Sequence, residues 1–284
     1  MIVIADSGSS KTSWSLIDQS KLVGEYSSIG LNPYHVCDSA IDNVLNELAT
    51  SGMPMGEVDG IYFYGSGCAQ IPMQQRMVNV LGKHFSKAKI HVFSDILGAA
   101  RALYGKQCGI VAIVGTGLNC GYYNGSDVES KTPSLGYVLG DEGSGCHLGK
   151  LLLAKWQYGE LPNYLSDKLT QFAKVDLAEV LKRVYVEPNP QQFIASFVPF
   201  IAKHIDHDSI VELVDSAFNM LVERHLVKYP QFTQKGVAVL GSVGFALQQR
   251  LKLAIEKRGG KLNRVLQYPI NSLTEYHAKN SYQI

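Results

Sequence analysis

Several features that would assign this chain quickly are missing. No apolar run reaches about 18 residues, so no stretch reads as a membrane span. The N-terminus enters a β-rich run at once, with neither a charged leader nor a cleavage site. The formal charge is only +1, which gives no reason to expect nucleic acid or an acidic membrane as a partner. The five cysteines, at 37, 68, 108, 120 and 146, are odd in number, irregularly spaced and without a C-x-x-C pair. They read as reduced thiols of a cytoplasmic protein rather than as disulfides or a zinc site. His147, His204, His207 and His225 lack H-x-x-x-H spacing and read as solvated or core histidines. Two common phosphate motifs fail as well. A Walker loop needs Gly before Lys-Ser/Thr, but Ser10 precedes Lys11-Thr12. Neither Gly115-Thr116-Gly117 nor Gly143-Ser144-Gly145 reaches the third glycine of G-x-G-x-x-G. What remains is a globular composition, 284 residues with 46% hydrophobic and 18% charged, enough for one large or two medium domains.

The most informative stretch is Ile2–Asp18, IVIADSGSSKTSWSLID. Two β-rich runs flank a Gly/Ser tip, which predicts a tight hairpin with exposed backbone N–H groups. Successive N–H groups form an anion-binding concavity, and small side chains let a phosphate approach. Asp6, at the strand end, is placed to hold a hydrated Mg²⁺, and Lys11 is a possible phosphate partner. An ordinary hairpin with a solvated Asp fits this segment equally well.

Lys21–Ile29 follows as a strand, then the loop Gly30–Tyr34, and a helix over Ser39–Thr50 capped by Asp38. A strand over Val58–Tyr64 runs into Gly65-Ser66-Gly67. A helix covers Pro72–Phe85, and a strand over Lys89–Phe93 ends at Ser94-Asp95 before a helix over Ile96–Tyr104. Strand, carboxylate, helix is the order in which a parallel strand delivers an acid to the ligand edge of an α/β sheet. At Gly109 the opening pattern recurs: a buried-type strand, the tip Gly115-Thr116-Gly117-Leu118-Asn119, and a returning strand over Cys120–Tyr123. This predicts internal duplication with a boundary near Gly105–Gly109. The expected domains are 1–106, which 270–284 could complete, and 107–269. Later elements are Gly140-Asp141-Glu142-Gly143-Ser144-Gly145 opening a helix to Tyr158, a helix capped by Asp208, a strand over Val237–Leu240 entering Gly241-Ser242-Val243-Gly244 and a helix to about Lys257, a strand near Val265–Tyr268, and a helix around Leu273–Asn280.

Two glycine hairpins, a third Gly-rich strand-to-helix turn, and Asp6, Asp95 and Asp141 at loop edges suit phosphoryl transfer. The tips neutralise phosphate charge, Asp6 holds metal, and Asp95 accepts the proton of an attacking hydroxyl. Asp95 as a helix cap alone is the competing account. The ordered motifs Asp6-x-Gly8-x-x-Lys11-Thr12, Gly115-Thr116-Gly117-x-Asn119, Gly140-Asp141-Glu142-Gly143-Ser144-Gly145 and Gly241-Ser242-Val243 resemble those of the N-acetylglucosamine kinase/BadF-type ATPase family of the sugar kinase/actin/Hsp70 superfamily. The resemblance spans essentially the whole chain. It implies an α/β fold of two ribonuclease H-like, actin-like ATPase lobes with an interlobe active-site cleft, and ATP and Mg²⁺ as cofactors. By the same resemblance Asp6, Gly8, Ser9, Ser10, Lys11, Thr12, Gly115, Thr116 and Gly117 face the phosphates and metal. Gly241, Ser242 and Val243 face adenosine, Asp95 is the base, and Asn32, Asn119 and Asp141 hydrogen-bond an amino-sugar ring. The implied activity is ATP-dependent phosphorylation of a primary hydroxyl of an N-acetylglucosamine-like amino sugar, and a homodimer is compatible with it. The sequence departs from the family at Leu135-Gly136-Tyr137-Val138, where an aromatic Trp-Gly pair is usual, leaving Tyr137 as the candidate for ring stacking. It also departs at Ser7 and Ser9, where Gly is usual.

The alternative within the same fold is a BadF-type ATPase that activates a partner enzyme. Activators of that kind carry an iron–sulfur cluster between subunits, and the scattered cysteines do not suit one. A sugar-responsive transcription factor is disfavoured because Met1 directly abuts the first strand, leaving no room for a DNA-binding module ahead of it.

Overall fold

The computed structural model describes residues 1–280. In chain order the first elements are β1 (Ile2–Ser7), β2 (Lys11–Asp18), β3 (Lys21–Ile29), α1 (Asp38–Thr50), β4 (Gly60–Gly65), α2 (Ile71–His84), β5 (Lys89–Ser94) and α3 (Asp95–Tyr104). Next come β6 (Gly109–Val114), β7 (Leu118–Tyr123), β8 (Val128–Lys131), α4 (Gly136–Leu139) and α5 (Gly145–Gln157). A helical run follows: α6 (Asn163–Ala173), α7 (Leu177–Tyr185), α8 (Pro190–Ala195), α9 (Val198–Lys203), α10 (Asp208–Arg224) and α11 (Phe232–Lys235). The chain closes with β9 (Val237–Leu240), α12 (Ser242–Ala246), α13 (Gln248–Lys257), β10 (Leu262–Leu266) and α14 (Ile270–Asn280).

The chain divides into two compact units. One comprises Met1–Gln107, Gly125–Asp127 and the segment from Tyr268 onward; the other comprises Cys108–Asn124 and Val128–Gln267. Residues 281–284, included in the segment expected to complete the first domain, lie outside the described residues.

Each unit holds one five-stranded mixed sheet. The first has the order β3-β2-β1-β4-β5; the second, read from its β8 edge, has the order β8-β7-β6-β9-β10. In both, the first three strands form antiparallel hairpins and the next two add in parallel. The repeated strand–tip–strand pattern is therefore a repeated sheet topology.

In the first unit, Val3, Ala5, Trp14, Leu16, Ile61 and Phe63 make one sheet face that packs on Ile41, Leu45, Leu48, Met77 and Leu81 of α1 and α2. α3 lies close against β4, because Gly98 leaves room for the Tyr64 ring: a Cβ there would stand 2.9 Å from it. α14 packs on β1, β2 and α3, and His277 Nε2 meets the Tyr64 hydroxyl at 2.8 Å. Burial, with the nearby Arg101 and His91 charges, pushes the His277 imidazole down to about 3. In the second unit, Ile210, Leu213, Val214, Phe218, Leu221 and Val222 recur at helical spacing and form the buried stripe of α10.

The structure departs from the sequence reading in details of element ends. Asp38 and Asp208 are not caps: Cys37 and His207 hold the N-cap positions, with the acids in the first turn, where the positive end of the helix dipole favours them. The helix expected after Gly241 breaks at Leu247 into α12 and α13. The last strand is Leu262–Leu266 rather than Val265–Tyr268, and β8 carried no strong signal in its short polar sequence.

Candidate active site

In the first unit, the candidates lie at the carboxyl edge of the parallel strands. The hairpin tip Gly8, Ser9, Ser10 and Lys11 is exposed, and the Gly8 N–H donates to the Lys11 carbonyl at 3.0 Å. Thr12 and Ser7, both fully buried, brace the tip from below. The single Thr12 hydroxyl proton has the Ile29 carbonyl at 2.8 Å and Ser7 Oγ at 2.9 Å, and Ser7 Oγ accepts the Leu31 N–H at 2.9 Å. Gly30 touches the tip backbone, since a Cβ there would stand 2.4 Å from the Gly8 carbonyl oxygen. Any other residue would displace the tip.

Asp6 is the next-to-last residue of β1 and is half-buried. Burial first, and the Asp95 charge second, push its carboxyl up to about 7. Asp95 opens α3; Ser94 takes the N-cap position, and Asp95 Oδ1 accepts the Ile96 N–H at 2.7 Å. The competing account of Asp95 as the N-cap residue is therefore displaced by one position. Asp6, with the Asp95 carboxylate close enough to raise it, is a donor set suited to a hard cation. Among the described residues no group of three or more His, Cys, Asp or Glu could hold a metal. Mg²⁺ takes one or two carboxylates and completes its shell with water and phosphate oxygens, which is the ligand chemistry that Asp6 offers with Asp95 beside it. Asn32 is half-buried, accepts the Tyr34 N–H at 3.0 Å, and its Oδ1 lies 2.3 Å from where a Cβ on Gly67 would be. It thus closes a turn beside the end of β4. Lys11 also lines a pocket of about 400 Å³ with Ser13, Glu25, Tyr268 and Asn271, whose lining includes none of the other candidates.

In the second unit, the tip Gly115-Thr116-Gly117 is half-buried and tied to the start of α5: the Gly145 N–H donates to the Gly115 carbonyl at 2.8 Å and the Cys146 N–H to that of Thr116 at 3.0 Å. Asp141 adopts φ +60°, a left-handed conformation unusual for a residue with a side chain. Its carboxyl lies against Gly117, with Oδ2 2.9 Å from where a Cβ would be, and accepts the Leu118 backbone N–H. Burial raises it above the usual carboxylate range, with the Leu118 bond opposing. Asn119 is half-buried on β7 beside this contact. Gly241 (φ +124°) lies over the β6 end, a Cβ there falling 2.5 Å from the Val114 carbonyl oxygen. Ser242 is exposed, but the Val243 side chain is core, so only its backbone is open to a ligand. Tyr137 is half-buried with its ring packed on the core, and its carbonyl accepts a bond from Lys150.

The structure thus gathers Asp6, Asp95, Asn32 and residues 8–12 in one unit, and 115–117, 119, 137, 141 and 241–243 in the other. Sequence reasoning missed the partners of Glu142. Its carboxylate meets Arg224 Nη1 at 2.5 Å and His225 Nε2 at 2.8 Å. His147 Nδ1 accepts the Gly143 N–H at 3.0 Å. Two of the histidines read as bystanders therefore belong to the Gly140–Gly145 turn.

Neither a family model nor a curated protein matches the chain. Solved structures do. A protein from Porphyromonas gingivalis, provisionally named an N-acetylglucosamine kinase, is 35% identical with a TM-score of 0.94, covering 99% of this chain and 100% of that one. A second provisional N-acetylglucosamine kinase, from Chromobacterium violaceum, is 16% identical with a TM-score of 0.69 over 97% and 98% of the two chains. A ROK family glucokinase from Streptomyces griseus, solved with glucose and AMPPNP, is 13% identical with a TM-score of 0.54 over 99% and 98%. The latter two share the fold. The first is similar enough in sequence over its full length to show the family: this chain belongs to the N-acetylglucosamine kinase/BadF-type ATPase family of the sugar kinase/actin/Hsp70 superfamily.

Proposed function

We propose that this protein is an ATP-dependent sugar kinase that phosphorylates a primary hydroxyl of an amino sugar of the N-acetylglucosamine type. The observation that carries the reading is the repeated sheet, with a glycine tip at the same hairpin of each copy, joined to the Asp6–Asp95 carboxylate pair in the first unit. In this reading Ser9, Ser10 and Lys11, on a tip shaped by Gly8 and braced by buried Thr12, bind the ATP phosphates with Gly115, Thr116 and Gly117 through backbone N–H groups and the Lys11 ammonium. Gly241, Ser242 and the Val243 backbone border the adenosine. Asp6 holds Mg²⁺, which neutralises developing phosphate charge when bound. Asp95, fixed at a helix start, takes the proton of the attacking hydroxyl. Asn32, Asn119 and Asp141 read sugar hydroxyls by directional hydrogen bonds, and Tyr137 borders the ring. The provisional naming of two relatives as N-acetylglucosamine kinases supports the sugar class, and the family motifs support the amino sugar.

The test is an ADP-release assay with ATP, Mg²⁺ and a panel of hexosamines, N-acetylhexosamines and unsubstituted hexoses. ADP release that depends on one N-acetylated hexosamine, with the 6-phosphate as product, is the expected outcome. ADP release independent of every sugar would instead favour an ATPase that acts on a partner enzyme.

A further inference from the structure

Asp141 holds a strained backbone conformation, and such residues persist only where the surroundings over-determine them. The surroundings here form a continuous network in the second unit that the proposed reaction does not use. Neighbouring carboxylates face opposite ways: Asp141 toward Leu118 and Gly117, Glu142 toward the end of α10. Glu142 is only 5% exposed, and it can only accept, so His225 Nε2 carries the proton that joins them. The other ring nitrogen, Nδ1, meets Thr132 Oγ1 at 3.2 Å, and the Thr132 N–H donates to the Tyr229 hydroxyl at 2.8 Å. α10 also presses Leu221 and Phe218 onto Gly143, leaving no room for a Cβ there, which would fall 2.6 Å from Leu221 Cδ1. The turn is thus held by packing at residue 143 and by hydrogen bonds at residue 142, and residue 141 has nowhere else to go.

We infer that Glu142 and His225 are positioning residues, which lock residue 141 left-handed so that the Asp141 carboxylate stays on the Leu118 amide, preset to receive a hydroxyl of the amino sugar. The last clause rests on the function proposed above; the locking does not. A purely structural ion pair would leave Asp141 in place when His225 is replaced.

His225→Phe keeps a ring of similar bulk and removes both nitrogens. One readout needs no substrate: amide exchange followed by NMR, in which the Leu118 N–H should exchange about tenfold faster while the other amides of β6 and β7 keep their rates. The second is kinetic: KM for the sugar should rise about tenfold with KM for ATP unchanged, as expected when binding shared by ground and transition states is lost. The double variant Asp141→Asn/His225→Phe should be no worse than Asp141→Asn alone. His225→Gln, which returns a donor near the Nε2 position, should restore both readouts. If His225→Phe does not fold, Thr132→Val, which cuts the far side of His225, carries the same expectations. Unchanged Leu118 exchange in a folded variant, or penalties that add in the double variant, overturns the inference. If the wild-type protein phosphorylates no amino sugar yet Leu118 responds, the functional reading falls and the locking of Asp141 stands.

Discussion

At the first glycine tip, Gly8, Ser9, Ser10 and Lys11 stand exposed, and every brace lies below them: buried Thr12 and Ser7, and the close backbone of Gly30. At the second, Gly115, Thr116 and Gly117 are half-buried, and the braces grip the tip itself, through the N–H groups of Gly145 and Cys146 and the carboxyl of Asp141. One duplicated hairpin has been fixed by its base and the other by its loop. Under the proposed function the first would fit its N–H groups to an incoming phosphate, whereas the second would offer a preset surface, with its ordering cost met during folding. Charge divides in the same way. The first unit sets the Asp95 carboxylate close enough to raise Asp6, whereas the second surrounds Glu142 with an arginine and a histidine.

If the first unit supplies the chemistry and the second the fixed frame, changes in the first should dominate kcat. The largest expected effect is Asp95→Asn. It keeps size and most hydrogen bonding but removes the base, so kcat should fall about 10²–10⁴-fold in steady-state assays with nucleotide affinity retained. Near-normal kcat would return Asp95 to a structural role at the start of α3. Next is Gly30→Ala, whose Cβ collides with the first tip rather than with anything flexible. Overpacking of this kind costs about 1–3 kcal/mol, and spent at the tip it should weaken nucleotide binding about 10–100-fold by titration calorimetry. An unaffected affinity would mean that the tip does not touch phosphate. Asp6→Asn should raise the Mg²⁺ concentration needed for half-maximal activity, recoverably. In the unaltered protein, protons should compete for the same carboxylate, so apparent Mg²⁺ affinity weakens by about tenfold per unit as pH falls below about 7. The smallest effect belongs to the second unit. Burial alone would raise Glu142, but hydrogen bonds from His225 and Arg224 outweigh it and hold the carboxyl down at about 2, against an ordinary 4.5. A lowered folded-state value stabilises above the unfolded one and is lost as pH falls through the window between them. The gap in melting temperature between the protein and Glu142→Gln should therefore narrow from about pH 4.5 toward about 2.

The sequence made the tips and their carboxylates legible because turn chemistry is local: Gly and Ser between β-rich runs, an acid where a strand ends. Strand bounds at Lys21–Ile29 and Val237–Leu240 followed from the same local signals. The brackets of the second tip were not legible. Glu142 and its partners Arg224 and His225 are separated by 82 and 83 positions, and nothing near His225 distinguishes it from a surface histidine. Nor did a loop-edge aspartate announce its left-handed backbone, although Gly143, two residues on, shares the unusual sign of φ. Cap positions slipped by one residue at Cys37/Asp38 and His207/Asp208 because an acid in the first turn and an acid at the cap leave nearly the same sequence mark.

α14 closes over the face of the first sheet that carries Tyr62, Tyr64 and His91, with His277 set against the rings of both tyrosines. On a ribosome, that aromatic face and its partial cover α3 are made early, but the α14 part of the cover is made only after every residue of the second unit has been threaded. The second unit can condense as it emerges, apart from the short Gly125–Asp127 excursion, while the first must wait with a sticky surface open to solvent. The nascent chain therefore passes through a stage in which its oldest part is its least finished, and it is there that a chaperone would have something to hold.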